Sequence, residues 1–316
     1  MKAAVLGSPV AHSLSPVLHR AAYAALGLTG WTYEAIECDE AALSGLLDGL
    51  DDTWAGLSLT MPLKRAVMPL LDEVDPLAVE VGGANTVVFT AGRRHGYNTD
   101  VGGIVDALAE AGVTTCADAL IIGAGATACS ALAALREIGV REATAAVRDP
   151  ARAGELSVAA RRLGVAVHIS DLATLTAEGV TGGSGPSGSG VSREGSVSPR
   201  DGTAEGSGLN APAGAGLVIC TVPPGAGDAV AEWLFRGPSP PRVVFDVAYD
   251  PWPTKLALAA QAAGATVASG FDLLLHQAAR QVELMTGCAA PLGAMRSAGE
   301  ALLARRRAAR AHSAPA

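Results

Sequence analysis

Aromatic residues are scarce in this chain of 316 residues, 4% of the total, and there are only five cysteines. Cys38, Cys116, Cys129, Cys220 and Cys288 are far apart and show no paired ligand spacing with the six histidines. That argues against a disulfide framework and against a structural zinc site. Positive charge is also short, with 23 Lys and Arg against 31 Asp and Glu and a formal net charge of -8. Nucleic acids and anionic membranes carry phosphate, so they repel such a surface rather than steer it in. Long hydrophobic runs are missing as well. The apolar, uncharged stretch 119–135 is shorter than the ~20 apolar residues of a membrane helix and contains Gly123, Gly125, Thr127 and Ser130. The apolar run before Ser8-Pro9 is too short for a signal peptide. The expectation is a soluble, cytoplasmic protein with no metal.

What remains is an ordinary globular composition, 49% hydrophobic and 17% charged, which excludes collagen, coiled coil and global disorder. The length suits two domains. Short β-like runs at 2–6, 33–36 and 56–59 alternate with helical stretches at 16–26 and 41–50, the rhythm of an α/β layer structure. Pro62 is placed to open a helix at its first position. A hairpin is expected through Gly92-Arg93. From Asp118 the pattern becomes regular, with strands at 119–122, 143–147, 165–169, 217–220, 243–247 and 266–268 and helices between most of them. Six such strands fit one doubly wound sheet. The stretch 181–216 is rich in Gly, Ser and Pro and has no aromatic residue, so it is expected to be a disordered insertion.

The segment Gly123-Ala124-Gly125-Ala126-Thr127-Ala128 follows an apolar strand and opens a helix. In that setting the first Gly permits a tight turn, the second lets backbone N–H groups approach a pyrophosphate, and a small Ala128 allows close helix–sheet packing. The next strand ends at Val147-Arg148-Asp149, where an adenosine ribose should lie. Arg148, with Arg152 as a second contact, favours a 2′-phosphate and hence NADP. Asp149 is read as solvent-facing or as the cap of the following helix.

Taken singly, other polar residues are unremarkable. Ser15 reads as a helix N-cap before Pro16, Lys64 as a solvated lysine and Asp100 as an N-cap for 101–111. His19 reads as a helix-surface residue, His276 as packed or solvent-facing, and Cys220 as a core residue. His12 could lie near a site.

The order of motifs changes this. S-x-S-P at 13–16, L-T-x-P-x-K at 59–64, G-A-N-T at 83–86, N-T-D-x-x-G at 98–103, the nucleotide loop at 123–128 and G-x-x-L-L-x-x-Q-A at 270–278 occur in fixed sequence. Across essentially the whole chain this resembles the shikimate dehydrogenase family. The resemblance implies reversible NADP-dependent reduction of 3-dehydroshikimate to shikimate, in aromatic amino-acid biosynthesis. It implies Lys64 and Asp100 as the catalytic pair, which also touch substrate. Ser13 and Ser15, helped by Tyr249, match the residues that hold the substrate carboxylate; Thr60, Asn85 and Gln277 match those for the ring hydroxyls. Thr221, Gly270 and Leu273 are matched to the cofactor alongside the glycine loop. The implied architecture is an N-terminal α/β substrate domain, 1–100, completed by C-terminal helices 270–304, plus a doubly wound Rossmann domain, 101–269, with the cleft between them.

Three departures stand out. Val147-Arg148-Asp149 stands in place of the family's usual N-R-T after the second Rossmann strand, which leaves NADP over NAD open. Cys220-Thr221-Val222 replaces N-A-T, and Leu273 stands where many members carry Met. An NAD-dependent quinate/shikimate dehydrogenase and a non-catalytic nucleotide sensor are the alternatives. A homodimer stays open.

Overall fold

The computed structural model describes residues 1–173, 216–236 and 240–313. The expected insertion, 181–216, lies outside the described residues apart from Gly216.

The first sheet contains β1 (Lys2–Gly7), β2 (Thr32–Glu37), β3 (Trp54–Leu59), β4 (Glu73–Val74), β5 (Thr86–Thr90) and β6 (Arg93–Tyr97), in the order β2-β1-β3-β5-β6-β4. The pairs β1–β2 and β1–β3 are parallel, while β3–β5 and the hairpin β5–β6 are antiparallel. Helices α1 (Ser15–Ala25), α2 (Glu40–Asp48), α3 (Leu63–Ala66), α4 (Pro76–Val81) and α5 (Thr99–Glu110) connect or follow these strands.

The first helix corrects two expectations. Its buried residues Ser15, Leu18, His19, Ala22 and Tyr23 recur at one-face helical spacing, so His19 belongs to the core stripe and is fully buried. Ser15 is not the N-cap. Leu14 occupies that place without a side-chain bond, and Ser13 Oγ accepts the Ser15 N–H at 3.2 Å. Two further starts also shift by a few residues. Pro62 is the N-cap, not the first residue, of the single-turn α3. Asn98, not Asp100, caps α5, its side chain accepting from Val101 N at 3.3 Å.

The second sheet is entirely parallel. It contains β7 (Asp118–Ile122), β8 (Glu142–Val147), β9 (Ala166–Asp171), β10 (Leu217–Cys220), β11 (Val243–Asp246) and β12 (Thr266–Ser269), in the order β12-β11-β10-β7-β8-β9. The order reverses between β7 and β10, which opens a crevice at the carboxyl ends of those strands. Helices α6 (Ala126–Glu137), α7 (Gly154–Leu163), α8 (Asp228–Arg236) and α9 (Lys255–Ala262) belong to this sheet. The shortage of aromatics has a packing counterpart here. On α6, Ala128, Ala131, Ala133 and Ala134 are fully buried, and such small side chains let the helix sit close to the strands. Cys220 is buried in β10, as expected of a small core residue.

The chain then returns. Helix α10 (Gly270–Thr286) starts where Asp272 Oδ2 accepts from Ser269 N and Oγ, and ends at Gly287, whose φ of 71° suits a residue without Cβ. Leu275, Ala278 and Val282 of α10 share one apolar cluster with Val5, Leu14, Leu18 and Tyr33, joined by Met295 and Leu303 of α11 (Leu292–Ser313). A fully buried Leu or Val contributes roughly 1.5–3 kcal/mol, so this cluster fixes the C-terminal helices against the first sheet.

Candidate active site

Strand β3 delivers Thr60, and the single turn of α3 places Lys64 over the crevice. The Lys64 Nζ donates to Asp100 Oδ2 at 2.6 Å, with the two side chains 16% and 7% exposed. The other carboxylate oxygen, Oδ1, accepts from Asn85 Nδ2 at 2.8 Å. Asn85 is itself fixed, because its Oδ1 accepts from Thr99 N at 2.8 Å. Both oxygens of Asp100 are therefore engaged, and the ammonium is held in one place.

Beneath this pair lies a buried chain of hydrogen bonds. The Tyr33 hydroxyl donates to Ser58 Oγ at 2.6 Å, and Ser58 Oγ donates to Gln281 Oε1 at 2.7 Å. Gln281 Nε2 donates to Thr86 Oγ1 at 2.9 Å, and Thr86 Oγ1 donates to Asn85 Oδ1 at 2.9 Å. His19 stacks on Tyr33 with ring centroids 3.9 Å apart, and its Nε2 is 3.3 Å from Gln281 Oε1. An amide oxygen only accepts, so Nε2 carries the proton. Nδ1 is then a bare acceptor and has no partner among the described residues. Burial pushes the His19 pKa down to about 3, against the opposing effect of the hydrogen bond His19 donates to Gln281, so the ring stays neutral.

The eight residues matched to substrate, Ser13, Ser15, Thr60, Lys64, Asn85, Asp100, Tyr249 and Gln277, all line one cavity of about 290 Å³. Tyr249 faces them from the second sheet's side. Burial raises its phenol pKa, which keeps it a donor. Its loop is tied across the cleft: Arg306 Nη1 donates to His12 O at 2.9 Å and to Asp250 Oδ2 at 3.1 Å.

A second space, about 640 Å³, shares Thr60, Lys64 and Tyr249 with the first and is lined by residues 123–127 and Thr221. Gly123 has φ 112°, and a Cβ there would stand 2.5 Å from Thr221 Oγ1. Thr221 Oγ1 is committed to Ile122 O at 2.8 Å, so it cannot yield easily. Gly125 caps α6 without a side-chain bond among the described residues, so the first amides of the helix are left to a ligand or to water. A third space, about 320 Å³, shares residues 123–125 with the second and is lined by Arg148, Asp149 and Arg152. Asp149 Oδ1 accepts from Ala151 N at 3.0 Å, the capping role expected of it.

The Shikimate dehydrogenase substrate binding domain profile matches residues 5–87, and the Shikimate 5'-dehydrogenase C-terminal domain profile matches 270–298. A shikimate dehydrogenase (NADP(+)) of Moorella thermoacetica is 35% identical over 300 residues, 92% of this chain and 90% of that protein. This chain belongs to the shikimate dehydrogenase family. Among solved structures, the Mycobacterium tuberculosis shikimate dehydrogenase is 38% identical with a TM-score of 0.76, covering 95% of this chain and 99% of that one. The Thermus thermophilus enzyme, solved in complex with NADP(H) and shikimate, is 30% identical with a TM-score of 0.71, covering 95% and 98%.

Within that family frame, most residues singled out in the sequence come together, and a few land elsewhere. Gly270 and Leu273, matched to the cofactor, line the inner cavity beside Gln277. Ala128 lines none of these spaces; it is fully buried in α6 and acts through packing. His12 lines both inner spaces, as anticipated. His276 is buried on α10, with Nε2 3.2 Å from Glu110 Oε1. Sequence reasoning missed Gln281 and Arg65. Gln281 stands one helical turn after Gln277 on α10, a spacing that puts both on one face. Arg65 was hidden by its neighbour, since the motif ends at Lys64. Among the described residues no group of three His, Cys, Asp or Glu is placed to hold a metal.

Proposed function

We propose that this chain catalyses the reversible NADP-dependent reduction of 3-dehydroshikimate to shikimate, within aromatic amino-acid biosynthesis. The observation that carries it is the Lys64–Asp100 pair at 2.6 Å, standing where the hydroxyl-lined cavity meets the glycine loop. The relatives named above support the same reading. Residues 1–100 with 270–304 form the substrate domain in this proposal, and 101–269 the cofactor domain.

Gly123 in its positive-φ turn beside Thr221, open amides at the start of α6, and Arg148 with Arg152 at the end of β8 form a cradle suited to a phosphorylated dinucleotide. NADP(H) bound there supplies the hydride through C4 of its nicotinamide. This chain does the rest. Ser13, Ser15 and the Tyr249 phenol hold the substrate carboxylate, and Thr60, Asn85 and Gln277 hold ring hydroxyls. Negative charge grows on the carbonyl oxygen during reduction, and the Lys64 ammonium stabilises it and then transfers a proton to it. Asp100 keeps that ammonium aimed, and Asn85 keeps Asp100 aimed. Gripping both ends of the ring presents one face for reaction, an orientation effect worth several kcal/mol.

The test follows NADPH absorbance with 3-dehydroshikimate, repeated with NADH, and with shikimate and quinate in the oxidative direction. NADPH-dependent turnover supports the proposal. Equal or faster turnover of quinate with NAD would favour the related quinate activity, and no turnover with any pair would leave a nucleotide sensor. Retention of both Lys64 and Asp100 speaks against a sensor. Among the described residues no helix is long and apolar enough to cross a membrane. A cytoplasmic location belongs to the proposal, and size-exclusion chromatography decides between monomer and homodimer.

A further inference from the structure

Arg65 follows Lys64 directly on α3, an element of the first sheet, yet among the described residues its polar contacts, two in number, are both with the second. Its Nη2 donates to Cys129 Sγ on α6 at 3.6 Å, and its Nε lies 4.0 Å from Glu155 Oε2 at the start of α7. Neither contact is strong. A thiol is a weak acceptor, and an ion pair at that distance with a glutamate 62% exposed contributes little. A guanidinium carries five donors in a rigid fork, so most of this one's capacity is unspent among the described residues.

Its position gives that capacity a target. Arg65 lines the 640 Å³ space and also the 320 Å³ space, and the other residues common to both include Gly123, Ala124 and Gly125. It therefore overlooks both sides of the loop whose backbone amides suit a diphosphate. Planar, bidentate donation to phosphate oxygens is what arginine does better than any other side chain.

We propose that Arg65 is a cofactor-binding residue that reaches from the substrate side of the cleft to the diphosphate of the bound dinucleotide. It rests on the reading that this chain binds NADP(H). The contact makes cofactor binding span the crevice: the diphosphate is held by α6 from one side and by α3 from the other. Because α3 is a single turn, the same contact fixes the neighbouring Lys64 relative to the cofactor. Arg148 and Arg152 are left to the far end of the ligand, so the two phosphate groups have separate arginines.

The test measures equilibrium binding to the full-length protein without substrate, by NADPH fluorescence and by calorimetry with two fragments, ADP and adenosine 2′-monophosphate. Arg65→Met should weaken NADPH and ADP by about 10- to 100-fold, the range for charge-assisted hydrogen bonds, and leave adenosine 2′-monophosphate unchanged. Its NADPH affinity should also fall less steeply with salt than the wild type's, and Arg65→Lys should recover part of the loss. Unchanged NADPH affinity in Arg65→Met would overturn the proposal. Loss of adenosine 2′-monophosphate binding with ADP intact would overturn the diphosphate assignment. Wild-type protein that binds no NADPH would remove the functional reading itself, an outcome distinct from both.

Discussion

Around Asn85, side chains hold side chains. Asp100, Thr86, Thr99 and Gln281 all bond to it or through it, and every one of them is buried. Around Gly123 the reverse holds: the shape comes from backbone, a φ of 112° at a residue with no room for a Cβ beside Thr221, and a helix start with no side-chain cap among the described residues. The inner end of the cleft is thus built before substrate arrives, from residues far apart in the chain. The outer end is a cradle that its ligand completes. The difference suits the two tasks. Proton transfer needs one ammonium held to a fraction of an ångström, whereas a diphosphate needs a row of amides and freedom to approach them.

The sharpest way to separate the ends is Lys64→Ala. It should lower kcat by about 10²–10⁴ while NADPH affinity stays within a few-fold, because the outer end keeps its backbone. The buried Asp100 loses its ion partner but keeps the Asn85 donor, so the fold should persist at reduced stability. Unchanged kcat in stopped-flow or steady-state assays would take Lys64 out of catalysis.

The complementary break is Gly123→Ala. A methyl there meets Thr221 Oγ1 at 2.5 Å, in a backbone conformation that L residues rarely adopt, for a strain of roughly 1–3 kcal/mol. NADPH binding should weaken by about 10- to 100-fold, while calorimetry with shikimate alone shows no change. Loss of shikimate binding in this variant would show that the two ends are not separately built.

A smaller effect discriminates within the outer end. Arg148 lines the outermost space beside Asp149, whose carboxylate is occupied in capping. Arg148→Ala should weaken NADPH by about tenfold, the scale of one charge-assisted contact, and leave NADH nearly unaffected. Equal loss for both coenzymes would refute a 2′-phosphate contact.

The contrast also explains what could be read beforehand. The glycine loop is local, so six consecutive residues disclosed both the strand–turn–helix and its ligand, and the parallel strands were found within a few residues of their ends. Lys64, Asp100 and Gln277 emerged only through the ordered motifs, since each alone is ordinary. Gln281 stayed hidden because its partners, Ser58 and Thr86, lie 223 and 195 positions away. His19 was misplaced on the surface although its spacing from Leu18, Ala22 and Tyr23 marks a single buried stripe. Charge-capable side chains draw the eye to solvent, and periodicity was the better guide. Arg65 could not be placed at all, because its partners belong to the other sheet.

His19 offers the gentlest probe of the inner end. In the folded protein it stays neutral down to about pH 3, whereas an unfolded chain protonates it near its ordinary value of 6.5. Between those values the unfolded state binds more protons, so His19's contribution to stability is fully present above about 6.5 and is lost as pH falls. The slope reaches at most ~1.4 kcal/mol per pH unit, which amounts to about 1 kcal/mol between pH 6.5 and 5.5. His19→Phe keeps the stack on Tyr33 and gives up the contact with Gln281, so it should be less stable at neutral pH yet lose less on acidification. Urea unfolding at pH 7, 6 and 5 reads both quantities. Parallel pH dependence in the two proteins would mean that the ring is not held neutral, and the hydrogen-bond chain under Asn85 would then need a different proton assignment.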